Sequence, residues 1–181
     1  MLNSRPATGL AVRRVRLSNK DVKRLREQCT ALAPVLEGAG AVDEIQLSER
    51  EFLYLIDGEP LLLRTSRRDA GNYVLPTLYL VHKSERRRLL PPYPMAVVDA
   101  GAAVRIVNGA DVMRPGIKHI AGEFGSRAVV LVTDERARTI AVTLSLYSSA
   151  EILQMQRGKV LLNMHHLGDR VWRACLELVK K

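Results

Sequence analysis

Gly109 and Gly116 bracket the segment Ala110-Asp111-Val112-Met113-Arg114-Pro115, just downstream of a small-residue helical stretch, Ala100–Val107. Backbone approaches a ligand closely only where side chains are missing, so a loop of this kind suits the grip of an anion or a nucleic-acid backbone. The chain around it is basic, with a formal net charge of +9. That balance favours a polyanionic partner, with a solubilising surface charge as the plain alternative. Both halves carry an excess of basic residues, so both could touch the same polyanion. Arginine outnumbers lysine about threefold, which suits planar phosphate contacts and hints at a thermophilic source.

Other chemistries find little support. The chain has no GxxxxGK[ST] phosphate loop, no spaced GxGxxG and no HExxH. Its histidines are His82, His119, His165 and His166. The adjacent pair His165-His166 would face opposite sides of a strand and could not easily chelate one ion; one of them suits packing or an RNA contact, the other solvent. Asp99, Asp111 and Asp169 sit beside small residues and read as turn or cap residues. Ser145, Ser148 and Ser149 lack a nucleophile elbow. No catalytic residue, metal site or cofactor is expected. Cys29 and Cys175 stand far apart without a CxxC and read as buried thiols of a reducing cytoplasm. The start, Met1–Pro6, lacks an apolar signal region, and no apolar run approaches the about 18 residues of a membrane span. Aromatic residues make up only 4% of the 181, too few for a base-stacking platform.

The elements that must position the loop follow from spacing. Leu10–Leu17 reads as a basic strand. Ser18 caps a helix with Asp21 as its capping partner, and Val22, Leu25, Cys29, Leu32 and Leu36 form the apolar face up to a kink or stop at Pro34. Residues 42–47 form a strand, and Asp57-Gly58 turns a hairpin between Glu51–Ile56 and Pro60–Thr65. Tyr73–Val81 is an apolar stretch whose Pro76 marks an edge strand or irregular segment. Pro91-Pro92-Tyr93-Pro94 is a stiff linker and sets the boundary between domains 1–93 and 94–181. Beyond it come a strand at Met95–Val98, the helix, the loop, and strands at Arg127–Thr133 and Thr139–Leu146. A short helix capped by Ser148 or Ser149 and a last strand at Lys159–His165 complete the set. The pattern predicts an α+β protein whose second half is a small barrel of short strands with two small helices.

The second half is similar to the PUA domain, an RNA-binding module. The resemblance rests on Val98-Asp99-Ala100-Gly101-Ala102, Gly109-Ala110-Asp111-Val112-Met113, Pro115-Gly116, Ser149-Ala150-Glu151-Ile152, Gly158-Lys159 and His165. Pro76-Thr77-Leu78, His82-Lys83 and Gly168-Asp169-Arg170-Val171-Trp172 extend it to the malignant T-cell-amplified protein family of archaea and eukaryotes, in which a pre-PUA α/β domain precedes a PUA pseudo-barrel. Arg114 stands where eukaryotic members tend to have an uncharged residue.

The resemblance implies a non-catalytic, cytoplasmic RNA-binding protein of translation initiation or recycling. It would bind small-subunit rRNA or tRNA, with a partner that carries an initiation-factor-like domain. An RNA-binding accessory subunit of an RNA modification or processing system is the alternative. By motif position, RNA contacts fall on Gly109, Ala110, Asp111, Met113, Arg114 and Gly116, with Lys118 beside them. On the last strand they fall on Lys159, Asn163 and His165. The basic residues Arg64, Arg67, Arg68, Lys83, Arg86, Arg87 and Arg88 are read as extending that surface.

Overall fold

The structure is a computed structural model and describes residues 13–180. Leu10–Val12 of the expected first strand, and the stretch Met1–Pro6, lie outside the described residues. The first half is a five-stranded antiparallel meander: β1 (Arg14–Arg16), β2 (Val42–Ser48), β3 (Glu51–Ile56), β4 (Glu59–Arg67) and β5 (Gly71–Pro76), each strand paired with its successor. Asp57 (φ 50°) and Gly58 (φ 90°) turn β3 into β4. Both positions lie in the left-handed region that the two-residue turn requires.

Helix α1 (Asn19–Gln28) starts where Ser18 accepts the Asp21 amide at 3.2 Å. Leu25, Cys29, Leu32 and Leu36 are all buried, as their spacing predicts, but on two elements. The α-helix stops at Gln28 and a 3-10 segment runs from Thr30 to Leu36. Pro34 has no amide to donate and its ring would strike the preceding turn, so the chain leaves α-geometry before reaching it. The apolar stretch 73–81 also divides. Pro76 closes β5, and Thr77 caps α2 (Leu78–His82) by accepting the Leu80 amide at 3.1 Å.

The second half is a six-stranded sheet in the order β7 (Val112–Met113), β11 (Lys159–His166), β10 (Thr139–Ser145), β9 (Val129–Thr133), β6 (Met95–Val98), β8 (Ile117–Ala121). All pairs are antiparallel except β6–β9. β7 and β8 occupy opposite edges yet are joined by the single turn Arg114–Gly116. A connection that short forces the sheet to curl into a half-barrel, closed over Ile106, Val112, Val130, Ile140, Ile152 and Val160. Two small helices, α3 (Ala100–Ile106) and α4 (Ser149–Gln154), complete it. Ser148 and Glu151 form the reciprocal cap of α4.

Further elements exceed the sequence reading. β8 is a strand of its own, and α5 (Arg170–Leu178) closes the described chain. Asp169 caps α5 by accepting the Trp172 amide at 2.7 Å. Val171 and Cys175 of α5 pack on Ile45, Leu53, Leu55 and Leu63 of the first sheet, on the face away from α1. That explains the unbroken buried runs Leu53–Ile56 and Pro60–Leu63: the sheet is covered on both faces. A further cluster of Leu75, Leu78, Leu131, Val142, Leu144 and Leu162 joins the halves directly.

Candidate nucleic-acid interface

Asp99 starts α3 by accepting the Ala102 amide at 2.8 Å. The helix closes through Gly109, whose φ of +94° lets its amide reach the Ile106 carbonyl (3.0 Å) while the Ala110 amide reaches that of Arg105 (3.0 Å). Asn108, Gly109 and Ala110 are thereby left exposed. The second glycine serves a different purpose from the first. A Cβ on Gly116 would lie 2.6 Å from the Ala102 Cβ. Its close approach is to helix α3, and the Asp99 amide donates to its carbonyl at 3.0 Å.

Between the glycines, Asp111 is a hub. Its carboxylate accepts Nη1 and Nη2 of Arg67 at 2.7 and 2.8 Å, Nζ of Lys159 at 2.8 Å and the Asn163 amide at 2.8 Å. Burial alone would raise this carboxyl, but the hydrogen bonds from Arg67, Lys159 and the Asn163 amide outweigh it and hold the group at about 2. The Asn163 side chain donates to the carbonyls of Ile106 and Ala110, both at 2.9 Å. Helix, loop, β7 and β11 are thus one hydrogen-bonded unit. Asp111 is neither the turn nor the cap residue that its small neighbours suggest.

Met113 and Lys159 are register partners across β7 and β11 and both are exposed. Beside them lies a cavity of about 220 Å³ walled by Gly101, Ala102, Arg105, Met113 and Pro115. Arg105 is exposed on this wall and escaped the sequence reading. The only signal for it was its place on the last turn of α3, where a basic residue also complements the helix dipole. Lys118, on β8, is exposed too.

Several of the other candidate residues are committed elsewhere. Arg114 donates to the carbonyls of Ile152 (2.7 Å) and Ile117 (3.3 Å), strapping the turn to α4. His165 has no exposed surface. Its Nε2 accepts the Leu78 amide at 3.0 Å and its Nδ1 lies 2.7 Å from Asp169. An amide can only donate, so Nε2 carries no proton and Nδ1 donates to Asp169. Burial pushes the Asp169 carboxyl up, but the His165 hydrogen bond and the amides of Trp172 and His166 pull it below the usual range.

In the first half, Arg64 donates to the Tyr54 hydroxyl (2.9 Å) and Glu44 (3.0 Å), and its guanidinium lies 3.8 Å over the Phe52 ring. Arg86 donates to the carbonyls of Val35 and Glu37 and to Asp57. Arg88 pairs with Glu85 at 2.9 Å, and Arg68, Lys83 and Arg87 are exposed. Arg67 and the Asp57 turn that holds Arg86 lie at opposite ends of β4. At ~3.4 Å per residue those ends are roughly 27 Å apart. Arg67 therefore joins the loop, whereas Arg86 belongs to a separate basic corner. Among the described residues no group of three or more His, Cys, Asp or Glu side chains could hold a metal ion.

The family model of the PUA domain matches residues 94–167. An uncharacterized protein of Methanocaldococcus jannaschii is 33% identical over 161 residues, 86% of this chain and 93% of its own length. Translation machinery-associated protein 20 of Schizosaccharomyces pombe is 27% identical, over 74% of this chain and 72% of its own. The crystal structure of a PUA domain protein from Aeropyrum pernix K1 superposes with a TM-score of 0.74 at 24% identity, covering 92% of each chain. Proteins named malignant T-cell-amplified sequence match along most of the chain as well. The chain belongs to the PUA-domain family that includes translation machinery-associated protein 20 and the malignant T-cell-amplified sequence proteins.

Proposed function

We propose that this chain is a non-catalytic RNA-binding protein of the cytoplasmic translation machinery. It holds small-subunit rRNA or tRNA during initiation or recycling, alongside a protein with an initiation-factor-like domain. One observation carries the RNA reading. The exposed backbone of Asn108–Ala110 continues into Asp111, which binds Lys159 Nζ, and Lys159 pairs with exposed Met113 beside a wall of glycine and alanine. The Lys159 ammonium suits phosphate, while Met113 and the alanine wall suit the apolar face of a base or sugar. Such contacts read RNA by shape and single-stranded elements. Arg105, Lys118 and Lys159 supply the charge. The family's translation-associated members support the cellular setting.

The test is a binding titration with a small-subunit rRNA fragment and with tRNA over a range of salt concentrations. Affinity should fall steeply between about 50 and 200 mM salt as counterions are released. Lys159→Glu should weaken binding and flatten the salt slope by about 0.7–0.9, the share of one phosphate contact. Salt-independent binding, or a Lys159→Glu variant that binds like the parent, would sink this reading.

A further inference from the structure

We propose that Arg67, at the end of β4 in the first half, is a positioning residue for the RNA surface of the second half. It neutralises Asp111 from behind and thereby leaves Lys159 available to phosphate. The inference rests on the RNA-binding reading of the loop above.

Four of the five N–H donors of Arg67 are engaged within the protein. Nη1 and Nη2 form the fork on Asp111, Nη1 also reaches the Asn163 carbonyl at 3.0 Å, and Nε meets Asp69 at 2.8 Å. While these partners hold, the guanidinium offers phosphate no more than one N–H. Asp111 keeps 13% of its side chain exposed, against 43% for Lys159. The carboxylate thus lies behind the surface and the ammonium on it. Two cations share one half-buried anion, and the bidentate fork is the stronger partner. Without Arg67, Lys159 would be the only side-chain cation left on Asp111. Its charge would then be spent on that carboxylate, leaving less of it for an approaching phosphate. Arg67 also fixes the Asn163 backbone, whose side chain holds the Ile106 and Ala110 carbonyls that shape the loop. The first half therefore completes an RNA surface whose contact groups all belong to the second.

A mutant cycle on the full chain tests this, with RNA affinity as the readout and a thermal melt to confirm folding. Arg67→Ala should weaken binding about tenfold. Asp111→Asn in the same background should recover most of that loss, since it removes the carboxylate that Arg67 neutralises. Arg67→Lys, which keeps the charge and loses the fork, should fall between. If Arg67→Ala costs the same with Asp111 present or replaced, Arg67 acts on RNA directly and the proposal is wrong. An Arg67→Ala variant that binds normally overturns it as well. Should Arg67→Ala not fold, Arg67→Lys with and without Asp111→Asn carries the same comparison. Absence of RNA binding by the parent protein would instead overturn the functional reading, and this inference with it.

Discussion

His165 and Leu78 lie 87 positions apart and meet through one hydrogen bond, from the Leu78 amide to the imidazole Nε2 at 3.0 Å. Leu78 opens α2 of the first half and His165 is the penultimate residue of the last strand of the second. The amide is one of the orphan donors at a helix start, and no water can reach it, because both residues are fully buried. Nδ1 is tied in turn to Asp169, the cap of α5. One imidazole therefore links an orphan amide of α2 to the cap of α5.

Replacing that imidazole should be costly. His165→Ala strands the Leu78 amide, takes a partner from Asp169 and opens a cavity. The expected loss is about 2–4 kcal/mol. Urea unfolding should show a lower midpoint at unchanged slope. A loss under about 0.5 kcal/mol, the range of ordinary surface substitutions, would contradict the linking role.

Acid should act through Asp111 and Asp169. Both carboxyls sit below their ordinary values in the folded protein, Asp111 at about 2. A group of this kind binds more protons when unfolded, so its stabilisation is complete above the unfolded value near 4. It is lost as pH falls from there toward about 2. Stability measured across that window should decline with falling pH, and Asp111→Asn should flatten the decline. A variant with an unchanged acid profile would show that Asp111 is not a main source of it.

Gly116 offers a steric test. Gly116→Ala sets a methyl group 2.6 Å from the Ala102 Cβ. Overpacking of this kind costs about 1–3 kcal/mol. Moving α3 off the Arg114–Gly116 turn should also weaken RNA binding. Adding Ala102→Gly removes the clash and should restore affinity, less the about 1 kcal/mol of helix stability that an internal glycine costs. Neutral behaviour of the single variant would show that α3 yields freely.

Much of the fold was legible because its signals are local. Ser18, Asp99 and Ser148 each announce a helix within three residues, and Asp57-Gly58 announces its hairpin. The interface was legible by place, through the glycines and β11, but less so by role. Asp111, Arg67 and His165 are polar residues whose partners lie 44, 96 and 87 positions away. From residue type alone, an arginine holding a half-buried carboxylate reads the same as one facing solvent. Helix α5 was missed for a related reason. Its nine residues bury Val171 and Cys175 against a sheet more than a hundred residues upstream, and only that sheet makes its apolar face meaningful.

The return of α5 to the first sheet sets an order of events during synthesis. Strands β2, β3 and β4 leave the ribosome long before α5, with Ile45, Leu53, Leu55 and Leu63 turned toward a helix not yet translated. At about 5–20 residues per second that face waits several seconds bare. The first half of this chain can complete its core only after Arg170–Leu178 has emerged. A nascent chain stalled before residue 170 should therefore attract chaperones, however well its β3–β4 hairpin has formed.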